Sequence, residues 1–340
     1  MYLDKIFTLA ILLIFINLLF VIFFQRISNF FNIYDFPDYK RKIHKAPVAL
    51  LGGVIICFNF LISIIFVLIH REFNFMEKFL YIDNYKSLIV FLFVTSSMFT
   101  LGYLDDRKNL SPLKRLLVLT ILIYFICIND NVAVIESFKF SFLKDPINFN
   151  QLSIPFSIGC YIFLIVSLNM YDGINLQSSI LYLVNFLIIF FNLQFYNLII
   201  LSIIIGLVFF SFLNFKNKSF LGDNGSYLLS FIFGYYLIRV HNNTDIYYSD
   251  HIVLILFFPV IDTLRVIFMR QFYGKQIFLP DNNHLHHIIM NKYGYNKTIF
   301  YLTFLIIIPH VFIFIGLNFF ISFLILLFIY FLTINNLIKN

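Results

Sequence analysis

Eleven long apolar runs constrain most strongly what this chain can fold into. Of the 340 residues, 61% are hydrophobic and only 12% are charged. A soluble domain of this size could not bury so much apolar surface, so the lipid bilayer has to act as the solvent. The sequence therefore predicts a single all-α, polytopic membrane domain over residues 1–340, with about 11 transmembrane helices. The predicted spans are approximately 6–24, 48–70, 87–104, 113–129, 152–168, 176–194, 196–214, 226–240, 251–269, 298–316 and 318–334.

The basic residues predict the orientation of these spans. Eleven crossings place 17 of the 24 Lys and Arg residues on one side of the membrane and 7 on the other. By the positive-inside rule the richer side is cytoplasmic. The N-terminus is then outside and the C-terminus is cytoplasmic. The net charge of +7 follows from this asymmetry and does not indicate nucleic-acid binding.

The acids on the predicted cytoplasmic side are all aspartates, whereas all three glutamates fall on the other side. Short carboxylates crowded at one depth repel one another unless a divalent cation or basic side chains lie between them, so Mg²⁺ is the economical inference. The alternative is that aspartates are simply frequent in cytoplasmic loops. The inner aspartates are Asp35, Asp38, Asp105, Asp106, Asp172, Asp223, Asp262 and Asp281.

The basic segment 41–47 contains Lys42 and His44 and precedes Gly52 and Gly53. It is either an ordinary positive-inside anchor or a phosphate-binding segment, with the glycines allowing close helix packing. The third span ends at Asp105 and Asp106. Adjacent acids at a helix end point about 100° apart, so one can face a site while the other pairs with Arg107 or a neighbouring helix.

Two glycine-containing segments carry further acids. Asn169, Asp172, Gly173 and Asn175 end the fifth span; Asp-Gly is common in turns, but a nucleobase or sugar also needs several amide donors and acceptors. In the segment 220–226, glycines flank Asp223. Backbone N–H groups could approach phosphate there while the carboxylate holds a cation.

Two further features precede the histidines in the sequence: an aromatic residue and a pair of oppositely charged residues. Phe220, which begins the segment 220–226, could stack on a base. Asp262 and Arg265 are spaced i, i+3, so a structural ion pair is at least as plausible as direct chemistry.

Three histidines lie in one short polar segment, as His284, His286 and His287. Imidazole ligates a metal when neutral and binds an anion when protonated, so the cluster indicates a metal or phosphate site. A polar loop with incidental histidines is the alternative.

The ordered motifs between about Asp35 and Gly294 resemble the polyprenyl-phosphate N-acetylhexosamine-1-phosphate transferases. The His-Leu-His-His pattern is similar to the WecA-like branch of this family. The resemblance implies that a polyprenyl (undecaprenyl) phosphate attacks the β-phosphorus of a UDP-sugar, releases UMP and initiates a cell-envelope glycan such as O-antigen or another surface polysaccharide. It further implies a cytoplasmic active-site cleft, Mg²⁺ or Mn²⁺ as cofactor, and a multi-pass location in the bacterial inner membrane; a homodimer is left open.

The resemblance also implies roles for individual residues. Asp223 would ligate the metal, with Asp172 as a second ligand, and Asp105 and Asp106 would bind or activate the lipid phosphate. Catalytic contacts to the diphosphate and sugar would come from the three histidines. The residues implied in substrate binding are Lys42, His44, Asn169, Asp172, Gly173, Asn175, Phe220 and Arg265.

The chain departs from the family pattern in two places. Val166 stands where the family commonly has asparagine, and Asn175 with Leu176 stands where it often has the second Asp-Gly of Asp-Gly-x-Asp-Gly. A secondary transporter is the competing class, but transporters place ionisable residues near the bilayer midplane and often show repeated halves. The acids here gather at the inner boundary and no internal repeat is evident, which favours the enzyme. A phosphotransferase with alcohol acceptors would need further spaced aspartates beside Asp172.

Overall fold

The computed structural model describes residues 2–37, 44, 46–70, 80–82, 84–193, 197–244, 246–276 and 282–338. Over these residues the protein is almost entirely helical, as predicted. Two short antiparallel strand pairs interrupt the helices: β1 (Tyr34–Asp35) with β2 (Val48–Ala49), and β3 (Ser137–Phe138) with β4 (Ile147–Asn148). The helices are α1 (Tyr2–Ile22), α2 (Phe24–Phe31), α3 (Gly52–Ile69), α4 (Tyr85–Lys108), α5 (Pro112–Asn129), α6 (Ser153–Tyr171), α7 (Gln177–Asn192), α8 (Leu198–Phe215), α9 (Gly222–Asn243), α10 (Ser249–Ile255), α11 (Phe257–Phe272), α12 (Leu285–Tyr293), α13 (Tyr295–Phe314) and α14 (Phe319–Ile338).

Each predicted span falls mainly on a helix or a helix pair. Within the described ranges, seven helices are long and apolar enough to cross a membrane, and α10 with α11 makes an eighth if this pair, bent by 67°, is one span. Gln177–Asn192 and Phe319–Asn335 are shorter apolar helices. The polytopic all-α class is confirmed, whereas the count of 11 and the orientation stay predictions. Large apolar side chains remain exposed, such as Phe314 at 90% and Phe300 at 80%, as a lipid-facing surface requires.

The chain divides into two compact units. Unit 1 comprises Met1–Asn131 and Tyr182–Phe233, and unit 2 comprises Val132–Leu181 and Gly234–Asn340. The single-domain interpretation stays a prediction.

In unit 1, α3 packs along α8 and α1. Asn17 of α1 and Asn59 of α3 exchange two side-chain hydrogen bonds of 2.7 and 3.1 Å, and Gly206 of α8 lies against Asn59. Paired amides and small residues of this kind hold helices together where lipid removes the hydrophobic driving force. Helix α4 begins at Asn84, whose side chain accepts from the backbone N–H of Ser87 at 2.8 Å.

In unit 2, α6 packs on α11, while α12 packs on α13 and α14. Buried apolar residues of α10 to α14 form one core, which includes Leu285 and Ile289 of α12 together with Phe258, Leu302 and Tyr330. This packing explains why a helix of only nine residues is stable: its apolar face is buried by longer helices. The core therefore supports the segment that carries the three histidines.

Candidate active site

Asp105 is a buried anchor between helices of unit 1. Its side chain is 3% exposed and accepts hydrogen bonds from Arg115 Nη1 at 3.0 Å, the Tyr227 hydroxyl at 3.0 Å and the Leu110 backbone N–H at 2.9 Å. Sequence analysis named Arg107 or a neighbouring helix as a partner, and the neighbouring helix α5 supplies the cation, Arg115. These contacts join α4, α5 and α9 around one carboxylate.

Asp106 caps helix α9 from a different helix. One oxygen accepts from the backbone N–H of Asp223 at 2.8 Å, and the other accepts from that of Asn224 at 3.0 Å and from the Asn224 side chain. The first N–H groups of a helix have no partner within the helix, so a carboxylate there is well placed. Sequence analysis did not foresee this contact, because the two segments are 117 residues apart.

Glycines bring the backbone of α9 directly against two other helices. A Cβ on Gly102 would lie 2.3 Å from the Asp223 carbonyl oxygen and 2.4 Å from Asn224 Cα. A Cβ on Gly53 would lie 2.0 Å from the Asn224 side-chain oxygen and 2.3 Å from the Gly225 nitrogen. Close packing was predicted for the glycines of α3 and is confirmed there; Gly102 adds a second contact. We call Gly53, Gly102 and Gly225 the glycine seam.

Asp223 lies in the first turn of α9, and its charge and that of Asp106 repel one another. In the part of the chain that the structure describes, no three His, Cys, Asp or Glu side chains form a group that could hold a metal ion. Mg²⁺ is nevertheless commonly bound through one or two carboxylates, with waters and substrate phosphates completing the shell. The neighbouring like charges of Asp106 and Asp223 fit such an ion. Asp172, the other predicted ligand, belongs to unit 2.

The His44 and Phe220 side chains are in contact within unit 1. Nε2 of His44 lies 2.9 Å from Oδ2 of Asp35, Nδ1 lies 2.9 Å from the Ala46 carbonyl oxygen, and the His44 and Phe220 rings meet edge-on at 5.3 Å. The backbone of Phe220 is hydrogen-bonded to Ala49 and Gly52, which fixes the main chain at this position. Sequence analysis missed Asp35 as the partner of His44. Lys42 lies outside the described residues.

In unit 2 the predicted nucleotide segment forms a tight turn after α6. Asp172 is the C-terminal cap residue, and its N–H bonds to the Asn169 carbonyl oxygen at 3.2 Å. The Asn175 carbonyl oxygen accepts from the Tyr295 hydroxyl at 3.3 Å. Leu176, which replaces the family glycine, has a φ of +66°. A leucine therefore occupies a left-handed conformation that favours glycine.

Asp262 holds the histidine segment in place. It accepts from Nδ1 of His284 at 2.9 Å, from the backbone N–H of Leu285 at 3.2 Å, from Arg265 at 2.8 Å and from the Tyr330 hydroxyl at 3.0 Å. The same carboxylate thus orients a histidine and caps the N-terminus of α12.

Arg265 has structural contacts. Beyond its ion pair with Asp262, it donates to the Asn283 carbonyl oxygen at 2.6 Å and to the Tyr330 hydroxyl at 2.7 Å. The predicted ion pair is confirmed; its predicted contact with substrate stays a prediction.

The histidines form a stack. The rings of His284 and His286 lie 5.6 Å apart and almost parallel, and His287 is tilted against His286 at 4.3 Å. His286 is 1% exposed. Burial, followed by the charges of His287 and His284, holds the pKa of His286 well below its ordinary value. This ring is therefore neutral near pH 7, whereas His287 is partly exposed.

The predicted partners thus come together in two sets. Asp105, Asp106 and Asp223 converge at the start of α9 in unit 1, where His44 also meets Phe220. The histidines meet Asp262 and Gly173 in unit 2.

Comparison with known proteins supports the predicted resemblance. Residues 88–241 match the family described as glycosyl transferase family 4. The chain is 22% identical to undecaprenyl-phosphate alpha-N-acetylglucosaminyl 1-phosphate transferase of Salmonella typhi over 291 residues, which are 80% of this chain and 73% of the relative. It is 27% identical to phospho-N-acetylmuramoyl-pentapeptide-transferase of Staphylococcus haemolyticus over 285 residues, 76% of this chain and 82% of the relative.

Proposed function

We propose, on the premise that residues 88–241 are a glycosyl transferase family 4 region, that this protein transfers a sugar-1-phosphate from a UDP-sugar to a polyprenyl phosphate. A phosphate oxygen of the lipid forms a bond to the β-phosphorus of the UDP-sugar, the bond between the two phosphates breaks, and UMP leaves. The preferred donor is a UDP-N-acetylhexosamine and the preferred acceptor is undecaprenyl phosphate. The product would begin a surface glycan such as O-antigen in a bacterial inner membrane.

The observation that carries the proposal is the capping of α9 by Asp106. It holds Asp223 beside a second carboxylate at a helix N-terminus, within the region that matches the family. Paired carboxylates favour a divalent cation, and such a cation in turn binds phosphate oxygens. Mg²⁺, or Mn²⁺, would neutralise phosphate charge when bound to Asp223.

The protein's own groups would supply binding and orientation. A lipid phosphate is already ionised near pH 7, so strong base catalysis is unnecessary and in-line positioning carries most of the acceleration. His44 and Lys42 would contact phosphate, Phe220 the uracil, and Asn169, Gly173 and Asn175 the nucleotide. The histidines would donate to the diphosphate and sugar. We keep Asp105 and Asp106 as proposed contacts to the lipid phosphate, although their observed bonds first give them positioning roles.

Two relatives act on different sugars according to their names. The His284-Leu285-His286-His287 pattern supports the acetylglucosaminyl type, because this pattern is similar to the WecA-like branch of the family.

The test is UMP release by the purified full-length protein in liposomes. The assay contains undecaprenyl phosphate, Mg²⁺ or Mn²⁺, and a panel of UDP-N-acetylhexosamines, with and without chelator. Asp223→Asn and His286→Ala should abolish release, whereas Asp145→Asn, at an exposed site, should retain it. Release that requires both lipid and metal supports the proposal. A folded protein that releases no UMP with any sugar would overturn it, and transport assays would follow.

A further inference from the structure

A buried contact between Gln177 and His286 links two segments of unit 2 that are 109 residues apart. Nε2 of Gln177 lies 3.2 Å from Nδ1 of His286, and each residue is 1% exposed. Gln177 is the first residue of α7 and follows the left-handed Leu176. Sequence analysis gave this glutamine no role, and the resemblance assigns it none.

The contact determines which nitrogen of His286 carries the proton. An amide nitrogen donates hydrogen bonds and does not accept them, so Nδ1 of the imidazole has to accept. The proton of the neutral ring is then on Nε2. The Tyr171 hydroxyl lies beside the same amide. The Gln177 side-chain oxygen has no hydrogen-bond partner among the described residues, so the amide orientation rests on the contact of Nε2 with His286.

The other side of the His286 ring faces Gly173. Nε2 of His286 is buried, and no hydrogen-bond partner for it occurs among the residues that the structure describes. A Cβ on Gly173 would lie 1.8 Å from this nitrogen, so any side chain at position 173 would displace the ring. Gly173 is itself exposed. The Nε2–H group therefore faces the Gly173 backbone as a buried donor without an acceptor among the described residues, which is the chemistry that a ligand oxygen would complete.

His284 has the opposite arrangement. Its Nδ1 lies 2.9 Å from Oδ2 of Asp262, and an ionised carboxylate only accepts hydrogen bonds. Nδ1 of His284 therefore carries the proton. Asp262 and Gln177 thus fix the two stacked rings in different tautomers, and only His286 keeps its donor available on Nε2.

We propose that Gln177 is a positioning residue that holds His286 as the Nε2–H tautomer, so that this ring donates a hydrogen bond to an oxygen of the nucleotide sugar. The identity of the ligand rests on the proposed function, whereas the tautomer follows from the protein's own contacts. The accepting oxygen belongs either to the diphosphate or to the sugar. Gly173, which has no side chain, leaves the space that the His286 ring occupies.

The tautomer can be measured directly by ¹⁵N NMR of histidine-labelled, full-length protein in lipid, with His286 assigned by loss of its signals in His286→Gln. We expect a protonated Nε2 and an unprotonated Nδ1 in the wild type. Gln177→Glu keeps the side-chain shape but presents a carboxylate, which requires a proton on Nδ1, so the tautomer should reverse. Gln177→Met removes the bond and should give a mixture. Ser179→Ala on the same helix is the control and should leave the spectrum unchanged.

Binding of UDP and of UDP-N-acetylglucosamine to the same variants tests the donated hydrogen bond. We expect Gln177→Glu to weaken binding by roughly 10- to 100-fold, since a donor to a charged group is lost. Equal weakening of both ligands assigns the acceptor to the diphosphate; weakening of the nucleotide sugar alone assigns it to the sugar.

Two results would overturn the role of Gln177: a wild-type His286 protonated on Nδ1, or unchanged affinity in Gln177→Glu after its tautomer has reversed. A folded wild-type protein that binds neither ligand would overturn the ligand assignment together with the proposed function. The tautomer of His286 would still be decided by the NMR measurement.

Discussion

Oδ2 of Asp262 lies 2.9 Å from Nδ1 of His284, and the same carboxylate caps the helix that follows this histidine. Asp262→Asn would present an amide to these donors, and one amide oxygen cannot replace both carboxylate oxygens. We expect UMP release to fall by roughly 10- to 100-fold and stability to fall by about 1–3 kcal/mol. Both can be measured on the purified variant by UMP assay and chemical denaturation.

The control is Asp250→Asn. Asp250 is also buried and holds the Ser141 backbone and hydroxyl at 2.9 and 2.6 Å. The Asp250→Asn variant should have a lower free energy of unfolding but should keep its rate of UMP release per folded molecule. Equal turnover losses in the two variants would contradict a special role for Asp262.

Asp106→Asn should loosen the first turn of α9. The amide can accept from only one of the two N–H groups of Asp223 and Asn224 that the carboxylate now satisfies. We expect a loss of about 1–2 kcal/mol in stability, as for a lost helix cap, and a higher Mg²⁺ concentration for half-maximal UMP release. An unchanged Mg²⁺ requirement would separate the capping role of Asp106 from metal binding.

Gly102→Ala should be strongly destabilising, because its Cβ would lie 2.3 Å from a backbone oxygen that cannot move away by a rotamer change. Gly159→Ala is the matched control, since it is also helical but has no atom within 4 Å of its Cβ. The control should gain roughly 0.5–1 kcal/mol from helix propensity. Thermal unfolding of both variants in the same lipid would compare them, and similar midpoints would contradict the close approach.

Arg115→Met should leave the Asp105 carboxylate buried without its cation. Removal of one partner of a buried pair typically costs about 3–5 kcal/mol. The double variant Asp105→Asn with Arg115→Met should recover part of that loss, because no uncompensated charge remains. A double-mutant cycle by urea unfolding measures the coupling, and additive losses would show that the pair contributes little.

His286 should make stability fall as the pH drops. The pKa of His286 is lowered in the folded state. Between this lowered pKa and about pH 6.5 the unfolded chain therefore binds a proton that the folded protein does not bind, and the free energy of unfolding decreases. This contribution is fully present above about pH 6.5 and is lost as the pH falls further. Unfolding measured from pH 8 to pH 5 should show the decline, and His286→Gln should flatten it. A variant slope equal to that of the wild type would assign the decline to other groups.

Contacts between residues close in sequence could be predicted from their spacing. The ion pair of Asp262 and Arg265 follows from their i, i+3 spacing, and the apolar run lengths identified the helices. The cap from Asp106 to α9 and the contact of Gln177 with His286 join segments 117 and 109 residues apart. They depend on which helix faces pack together, which one sequence does not encode in a local pattern. The site residues were therefore recognised by type, but their hydrogen-bond partners were not.

The glycine seam has a consequence for how the site can vary. Backbone packs against backbone there, so the main chains of three helices set the position of Asp223, and no side-chain rotamer is involved. Sequence drift in the surrounding lipid-facing surface can proceed freely while these glycines stay. Under the proposed function, substrate range would then diverge through the turn at Asp172 to Leu176, at a distance in sequence from the carboxylate that the seam keeps in place.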